Sequence, residues 1–129
     1  MDSKKIEILE KATQVFLKYG IKSVTMDDMA RELAMSKKTL YNYFSDKNDL
    51  VVQIITMKTQ YDQQKCQAVK KDANNAIDEL FEISAYVSVM MQNIHPSVFY
   101  DLKKFHPEAS EILHKHKWDF VKKMILENL

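Results

Sequence analysis

The stretch "VTMDDMARELAMSKKTLYNYF", residues 24–44, decides the fold. It holds two helix starts with a short interval between them. Thr25, with Asp28 three residues later, has the form of a capping box with Asp in place of Glu. Met26, Met29, Ala30 and Leu33 then recur at helical spacing as an inward face. That helix must be short, because Ser36 offers a second N-cap only a few residues on. From Ser36 another helix runs through Leu40 to about Phe44. Two short helices joined by a tight turn have the dimensions of a helix-turn-helix unit.

The second of these helices is chemically unusual. Lys37, Lys38 and Thr39 form its first turn, where each lysine opposes the helix macrodipole at a cost of a few tenths of a kcal/mol. A helix N-terminus aimed at phosphates and base edges would use both the lysines and the free N–H groups. Leu40 and Phe44, four apart, face a core. Tyr41 is rotated from Leu40 by about 100° and Asn42 by about 200°, so both lie near the surface beside the lysines. Tyr hydroxyls and Asn amides are common phosphate contacts, and Asn also reads adenine. Lys47, at the start of the next helix, has the same backbone within reach. On spacing alone a second reading stands: a solvated amphipathic helix with Tyr43 and Phe44 in the core.

Outward from this unit the chain reads as helix throughout. Leu9, Ala12, Phe16 and Tyr19, with Ile8 and Val15 beside them, give residues 3–19 a wide apolar stripe, and Gly20 follows at a left-handed C′ position. Ser45 and Asp46 offer a third N-cap. The fourth helix carries Leu50, Ile54, Met57 and Tyr61 on one face and ends between Cys66 and Asp72. From Ala73 to Ile94 the positions Ile77, Leu80, Phe81, Val87, Met91 and Ile94 mark a face that Ile83, Val89 and Met90 widen nearly all round. His95-Pro96 and His106-Pro107 bracket a helix with Val98, Phe99, Leu102 and Phe105. A last helix carries Ile112, Leu113, His116, Phe120 and Met124, and its pattern is still running at Leu129. More architecture is expected beyond that point. One Gly and two Pro leave almost no material for hairpins, so the fold is expected to be all-α.

Bulk properties narrow the function. A length of 129 residues suits one domain, or a small domain with a helical extension, and 46% hydrophobic with 29% charged residues suits a folded chain. The one cysteine, Cys66, has no intramolecular partner and reads as an ordinary thiol in a reducing compartment. No apolar run approaches the ~20 residues of a membrane span. The opening "MDSKKIEILEKATQVF" scatters charge through its apolar residues, unlike a signal peptide. A cytoplasmic protein without membrane association is expected. Net charge is +1; residues 1–47 carry nine basic and seven acidic side chains, so any nucleic-acid argument rests on placement rather than bulk charge. No Ser/His/Asp grouping, acid pair or phosphate loop appears, and no enzyme is expected. His114 and His116, two apart on a helix, point to different sides, so neither a metal site nor a cofactor is expected. His95 and His106 either cap helices or bind a ligand.

The order of residues in "VTMDDMARELAMSKKTLYNYFSDKNDL" resembles the DNA-binding signature of the TetR family of bacterial transcriptional regulators. The resemblance spans residues 3 to about 62, with Phe16, Gly20, Thr25, Ala30, Ser36, Thr39, Leu40, Tyr41, Tyr43, Phe44, Lys47 and Leu50 in register. "FYDLKKFHPEASEILHKH", residues 99–116, is similar to the family's regulatory half, whose motifs are looser. The resemblance implies a three-helix DNA-binding domain at 1–47, with its motif at 25–44, followed by an incomplete helical ligand-binding and dimerisation domain at 48–129. Carried over by position, Lys37, Lys38 and Thr39 would face the major groove. Thr25, Tyr41, Asn42 and Lys47 would hold phosphates, and Ser36 would cap the recognition helix. One departure concerns the turn, where Ala34 and Met35 replace the family's glycine and small β-branched residue. Alanine in a left-handed conformation costs roughly 1–2 kcal/mol.

The resemblance further implies a ligand-responsive repressor that binds a palindromic double-stranded DNA operator as a homodimer. Phe81, Tyr86, Met90, Met91, Phe99, Phe105 and Phe120, with Tyr100 and Trp118, have two readings: plain core, or the lining of a pocket for a small apolar effector. Family members dimerise through two further helices beyond the one ending at Leu129. The 129 residues alone are therefore expected to be largely monomeric and weak on a palindrome. The rival reading is a helical protein-interaction module without regulated DNA binding.

Overall fold

The computed structural model describes residues 3–72 and 97–127, together with residues 77, 78, 81, 82, 84, 85, 88, 92 and 94 between them. Six helices are bounded: α1 (Ser3–Tyr19), α2 (Met26–Glu32), α3 (Lys37–Tyr43), α4 (Lys47–Asp72), α5 (Val98–Phe105) and α6 (Pro107–Glu127). The fold is all-α, as the breaker-poor sequence requires.

Helix α1 buries Ile8, Leu9, Ala12 and Phe16 along one stripe. It stops at Gly20, whose φ of 87° lies in the left-handed region that a Cβ disfavours and whose N–H bonds the Phe16 carbonyl at 2.8 Å. Thr25 then opens α2 through a complete capping box. Its Oγ1 accepts from the Asp28 N–H, and the Asp28 carboxylate accepts from the Thr25 N–H, both at 3.0 Å. Two orphan donors are thus satisfied, which is worth about 1 kcal/mol for the hydroxyl alone.

The turn between α2 and α3 is a Schellman motif. The Met35 N–H reaches back to the Ala30 carbonyl at 3.0 Å, and the Ala34 N–H to the Arg31 carbonyl at 3.1 Å. Ala34 occupies the left-handed position, at φ 54°, and is the one described non-glycine residue with positive φ. The local strain expected from the sequence is present at that residue. Ala34→Gly should therefore raise stability by up to about 1 kcal/mol, the Cβ penalty removed being larger than the entropy glycine adds to the unfolded chain. Urea unfolding reads this directly, and a lowered midpoint with unchanged slope would show that the alanine is unstrained.

Ser36 caps α3 by accepting the Thr39 N–H at 3.0 Å. The helix ends one residue earlier than expected, at Tyr43, and Phe44 lies just past it in an extended conformation. Asp46 opens α4 by accepting the Asp49 N–H at 2.7 Å, and the Asp49 carboxylate returns to the Ser45 N–H at 3.0 Å. Leu50, Val51 and Ile54 of α4 are buried and Met57 is partly so, but Tyr61 is 55% exposed. Tyr61 shares the face of Leu50 by helical period. It departs from the expected inward face because no described element covers it.

Residue 106 is a non-helical break between α5 and α6, and Pro107 is the first residue of α6, where its missing N–H costs nothing. Helix α4 packs against α1 and α6, α5 against α6, and α2 against α1 and α3. Val98, Leu102 and Ala109 of α5 and α6 join the same core as Ile8, Leu9, Phe16, Leu40, Phe44 and Leu50. That shared core joins the C-terminal helices to the N-terminal ones, with α6 directly on α4. The described residues between 77 and 92 are helical, with Ile77 and Phe81 exposed. Leu80, Val87 and Met91, expected on the same face, lie outside the described residues, as does the His95-Pro96 break.

Candidate nucleic-acid interface

Helix α3 is divided into two faces. Leu40 is fully buried and Phe44, just beyond the helix, is 1% exposed. Opposite them Ser36, Lys37, Lys38, Thr39, Tyr41 and Asn42 are all exposed. Six of the eight residues proposed from sequence to meet DNA therefore share one surface, and Thr25, at the head of α2, is exposed too. The hydroxyls are partly committed. Thr25 Oγ1 is an acceptor inside its own cap, which leaves its proton for an external oxygen. Ser36 Oγ and Thr39 Oγ1 lie 2.7 Å apart and share a proton between them. Thr39 keeps its methyl group for apolar contact.

The two lysines differ in a way the sequence does not show. Lys37 Nζ lies 3.0 Å from the Asp27 carboxylate and 5.9 Å from the centre of the Tyr41 ring. That carboxylate holds the Lys37 ammonium above the usual lysine range. Lys38 forms no ion pair among the described residues. Asp27 thus ties the head of α3 to the head of α2.

Lys47 sits elsewhere. It is half-buried, with Nζ donating to the Lys22 carbonyl at 3.3 Å and lying 6.0 Å from the centre of the Phe16 ring. Burial pushes its pKa down, against the opposing pull of the Asp101 and Asp28 carboxylates. Next to it, the Oδ2 atom of Asp101 accepts the Ile21 N–H at 3.1 Å and the Lys22 N–H at 2.9 Å. Asp101 is only 5% exposed. His106 Nδ1 donates to Asn48 Oδ1 at 2.9 Å, in the first turn of α4. Asp101, Asn48 and His106 had no such role on sequence grounds. The signal was nonetheless present: in α5 the buried stripe Val98, Leu102 carries an aspartate at the i+3 position, where an apolar residue belongs.

His106 is buried, and that burial, with Lys47 nearby, pushes its pKa below 6.5, while Asp101 and Asp46 oppose the shift. In the unfolded chain the imidazole binds a proton more readily than in the fold. Stability is therefore full above the unfolded value and falls as pH drops from about 6.5 towards the folded value. Urea midpoints measured from pH 7.5 to 5.5 should decline, and His106→Gln should flatten that decline. An identical slope in the variant would assign the pH dependence to other groups.

The residues proposed for an apolar pocket are not brought together by the described structure. Phe81 is 71% exposed, Phe99 44% and Phe105 38%, with Phe105 lying beneath the Lys22 and Lys104 ammonium groups at 5.0 and 5.4 Å. Tyr86, Met90 and Met91, and the side chain of Phe120, lie outside the described residues. Among the described residues no group of three metal-ligating side chains occurs, and no helix is long and apolar enough to cross a membrane.

Comparison with known proteins gives this arrangement a context. The uncharacterized HTH-type transcriptional regulator YhgD of Bacillus subtilis (strain 168) is 31% identical over 99 residues, covering 77% of this chain and 44% of that protein. The chain spans about half the length of the curated relatives it matches, 44% and 57%. Among solved structures, the fatty acid degradation regulator FadR from Bacillus halodurans superposes with a TM-score of 0.79 at 17% identity, covering 98% of this chain and 68% of that one. A TetR-family transcriptional regulator from Bordetella parapertussis 12822 gives a TM-score of 0.74 at 19% identity, over 98% and 69%. At such identities the superpositions speak for the fold. The sequence of residues 8–54 matches the family described as bacterial regulatory proteins, tetR family. These residues run from the first buried turn of α1, through the capped α2–α3 unit, to Ile54 of α4. The helix-turn-helix segment of the chain, residues 8–54, is that of the bacterial regulatory proteins of the tetR family.

Proposed function

We propose that the protein is a transcriptional repressor that occupies a palindromic operator as a homodimer and leaves it when a small apolar effector binds. The observation that carries this reading is the two-faced helix α3. Its buried side, Leu40 with Phe44, anchors it in the core, and its capped N-terminal end presents Lys37, Lys38, Thr39, Tyr41 and Asn42 to the exterior. Such a helix enters the major groove N-terminus first, with Lys37, Lys38 and Thr39 at base edges and Thr25, Tyr41 and Asn42 on phosphates. Ser36 contributes by holding the first turn in register.

Two copies acting together need recognition helices about 34–36 Å apart to enter successive major grooves. An effector that changes this separation removes the match, and it needs to favour the unmatched state by only a few kcal/mol. The methionines and aromatics between Phe81 and Phe120 are suited to an adaptable apolar site. Action on the chromosome places the protein in the cytoplasm.

Selection from a random duplex library tests the reading. Enrichment of an inverted repeat with half-sites one helical turn or a multiple apart is expected, with affinity falling steeply with salt. Recovery of no preferred duplex, with weak binding to all DNA alike, would favour an interaction module instead.

A further inference from the structure

Lys47 stands in the position from which the resemblance implied a phosphate contact, yet its ammonium lies on the Lys22 carbonyl, 3.3 Å away. We propose that Lys47 and Asp101 are a positioning pair for DNA binding, gripping the Ile21–Lys22 turn from α4 and α5, and that Lys47 does not contact phosphate in the operator complex. The proposal rests on the DNA-binding reading given above.

The geometry of the grip is complementary. Asp101 takes both N–H groups of the turn, at 3.1 and 2.9 Å, through one carboxylate oxygen. Lys47 takes the carbonyl of Lys22, at 3.3 Å. Neither charge suits its surroundings alone. A carboxylate 5% exposed needs donors and a cation near it, and a half-buried ammonium needs an acceptor and an anion. Each supplies part of what the other lacks, with the turn backbone between them. The Phe16 ring lies against Lys47, and the Phe105 ring lies under the Lys22 ammonium, so the turn is closed on its sides as well.

The held turn lies next to the recognition unit. Three residues after Lys22, Thr25 caps α2, and two residues later Asp27 pairs with Lys37 at the head of α3. The aim of α3 is thus tied through α2 to a turn whose backbone donors are bound by a helix of the C-terminal half. The bond from His106 to Asn48 fixes the first turn of α4 to the same half. A lysine engaged in this way is a structural cation, and its loss should misalign α3 without removing a phosphate contact.

The test uses the full chain and the duplex selected by the wild-type protein, at a temperature where circular dichroism shows every variant folded. Lys47→Met should weaken binding about 3- to 30-fold while the slope of log affinity against log salt stays unchanged. Asp101→Ala should behave alike. Asp101→Asn should be milder, because a single amide oxygen can still accept both N–H groups. The double variant Lys47→Met/Asp101→Ala should be no worse than the worse single one, since the two act as a unit. A salt slope reduced by about one unit in Lys47→Met would make it a phosphate contact and overturn the proposal. So would unchanged affinity in the folded variant, which is what a merely structural pair gives. Amide exchange supplies a readout independent of DNA. Lys47→Met should speed exchange at Ile21 and Lys22, and unaltered protection there would refute the grip. Failure to select any duplex would instead refute the DNA-binding reading, and the positioning role with it.

Discussion

Leu40→Ala is expected to lower unfolding free energy by about 2–5 kcal/mol, the range for deleting a fully buried leucine side chain. Leu40 is 0% exposed and is the buried residue of α3. A helix of seven residues does not persist on its own, because nucleation fixes several residues for one hydrogen bond. What keeps α3 in place is its docking: Leu40 within the helix, Phe44 beyond it, and the Ser36 cap at its start. Truncating Leu40 leaves a void at the centre of this docking, against Leu50 and the buried stripe of α1 in the same core. Urea titration should show a much lower midpoint. Operator binding should fall beyond what the unfolded fraction explains, because the aim of the helix loosens too. A loss of stability below about 1 kcal/mol would show that α3 is held mainly by its cap and turn.

Lys37→Ala and Lys38→Ala are each expected to weaken binding to the selected duplex, by about 5- to 150-fold where the lysine reads a base. The two should differ. Lys38 forms no ion pair among the described residues and is available to the groove at once. Lys37 must share its charge with Asp27, 3.0 Å away, and its removal would leave that carboxylate without its cation at the proposed interface. Asp27→Asn should therefore strengthen binding in the wild-type background and restore part of the affinity lost in Lys37→Ala. A base-reading lysine relaxes preference at one position. A phosphate-binding lysine weakens all sequences alike and lowers the salt slope by about one unit. Unaltered affinity in the double alanine variant would remove α3 from the interface altogether.

Much of the architecture was legible because it depends on local chemistry. Thr25 with Asp28, Ser36, Gly20 and Pro107 each satisfy or terminate a helix end with groups a few residues away, so their pattern survives in one dimension. The same holds for the stripe of α1 and for the division of α3 into Leu40 on one side and Tyr41 and Asn42 on the other. The left-handed Ala34 was legible only through the family resemblance, whose turn holds a glycine at that place. Tyr61 shows where periodicity stops. Its place on the face of Leu50 and Ile54 followed from the helical repeat, but its exposure depends on what packs there.

The polar junction could be decided only by tertiary structure. Ile21 and Asp101 are 80 residues apart, and Asn48 and His106 are 58 apart. No local rule pairs such groups. What pairs them is the cost of burying a carboxylate or an imidazole without a partner, and that cost exists only once folding has brought Asp101 to the turn after α1 and His106 to the start of α4. Lys47 shows both contributions: its place at the start of α4 follows from the sequence, while the Lys22 carbonyl that its ammonium meets at 3.3 Å was brought to it by folding.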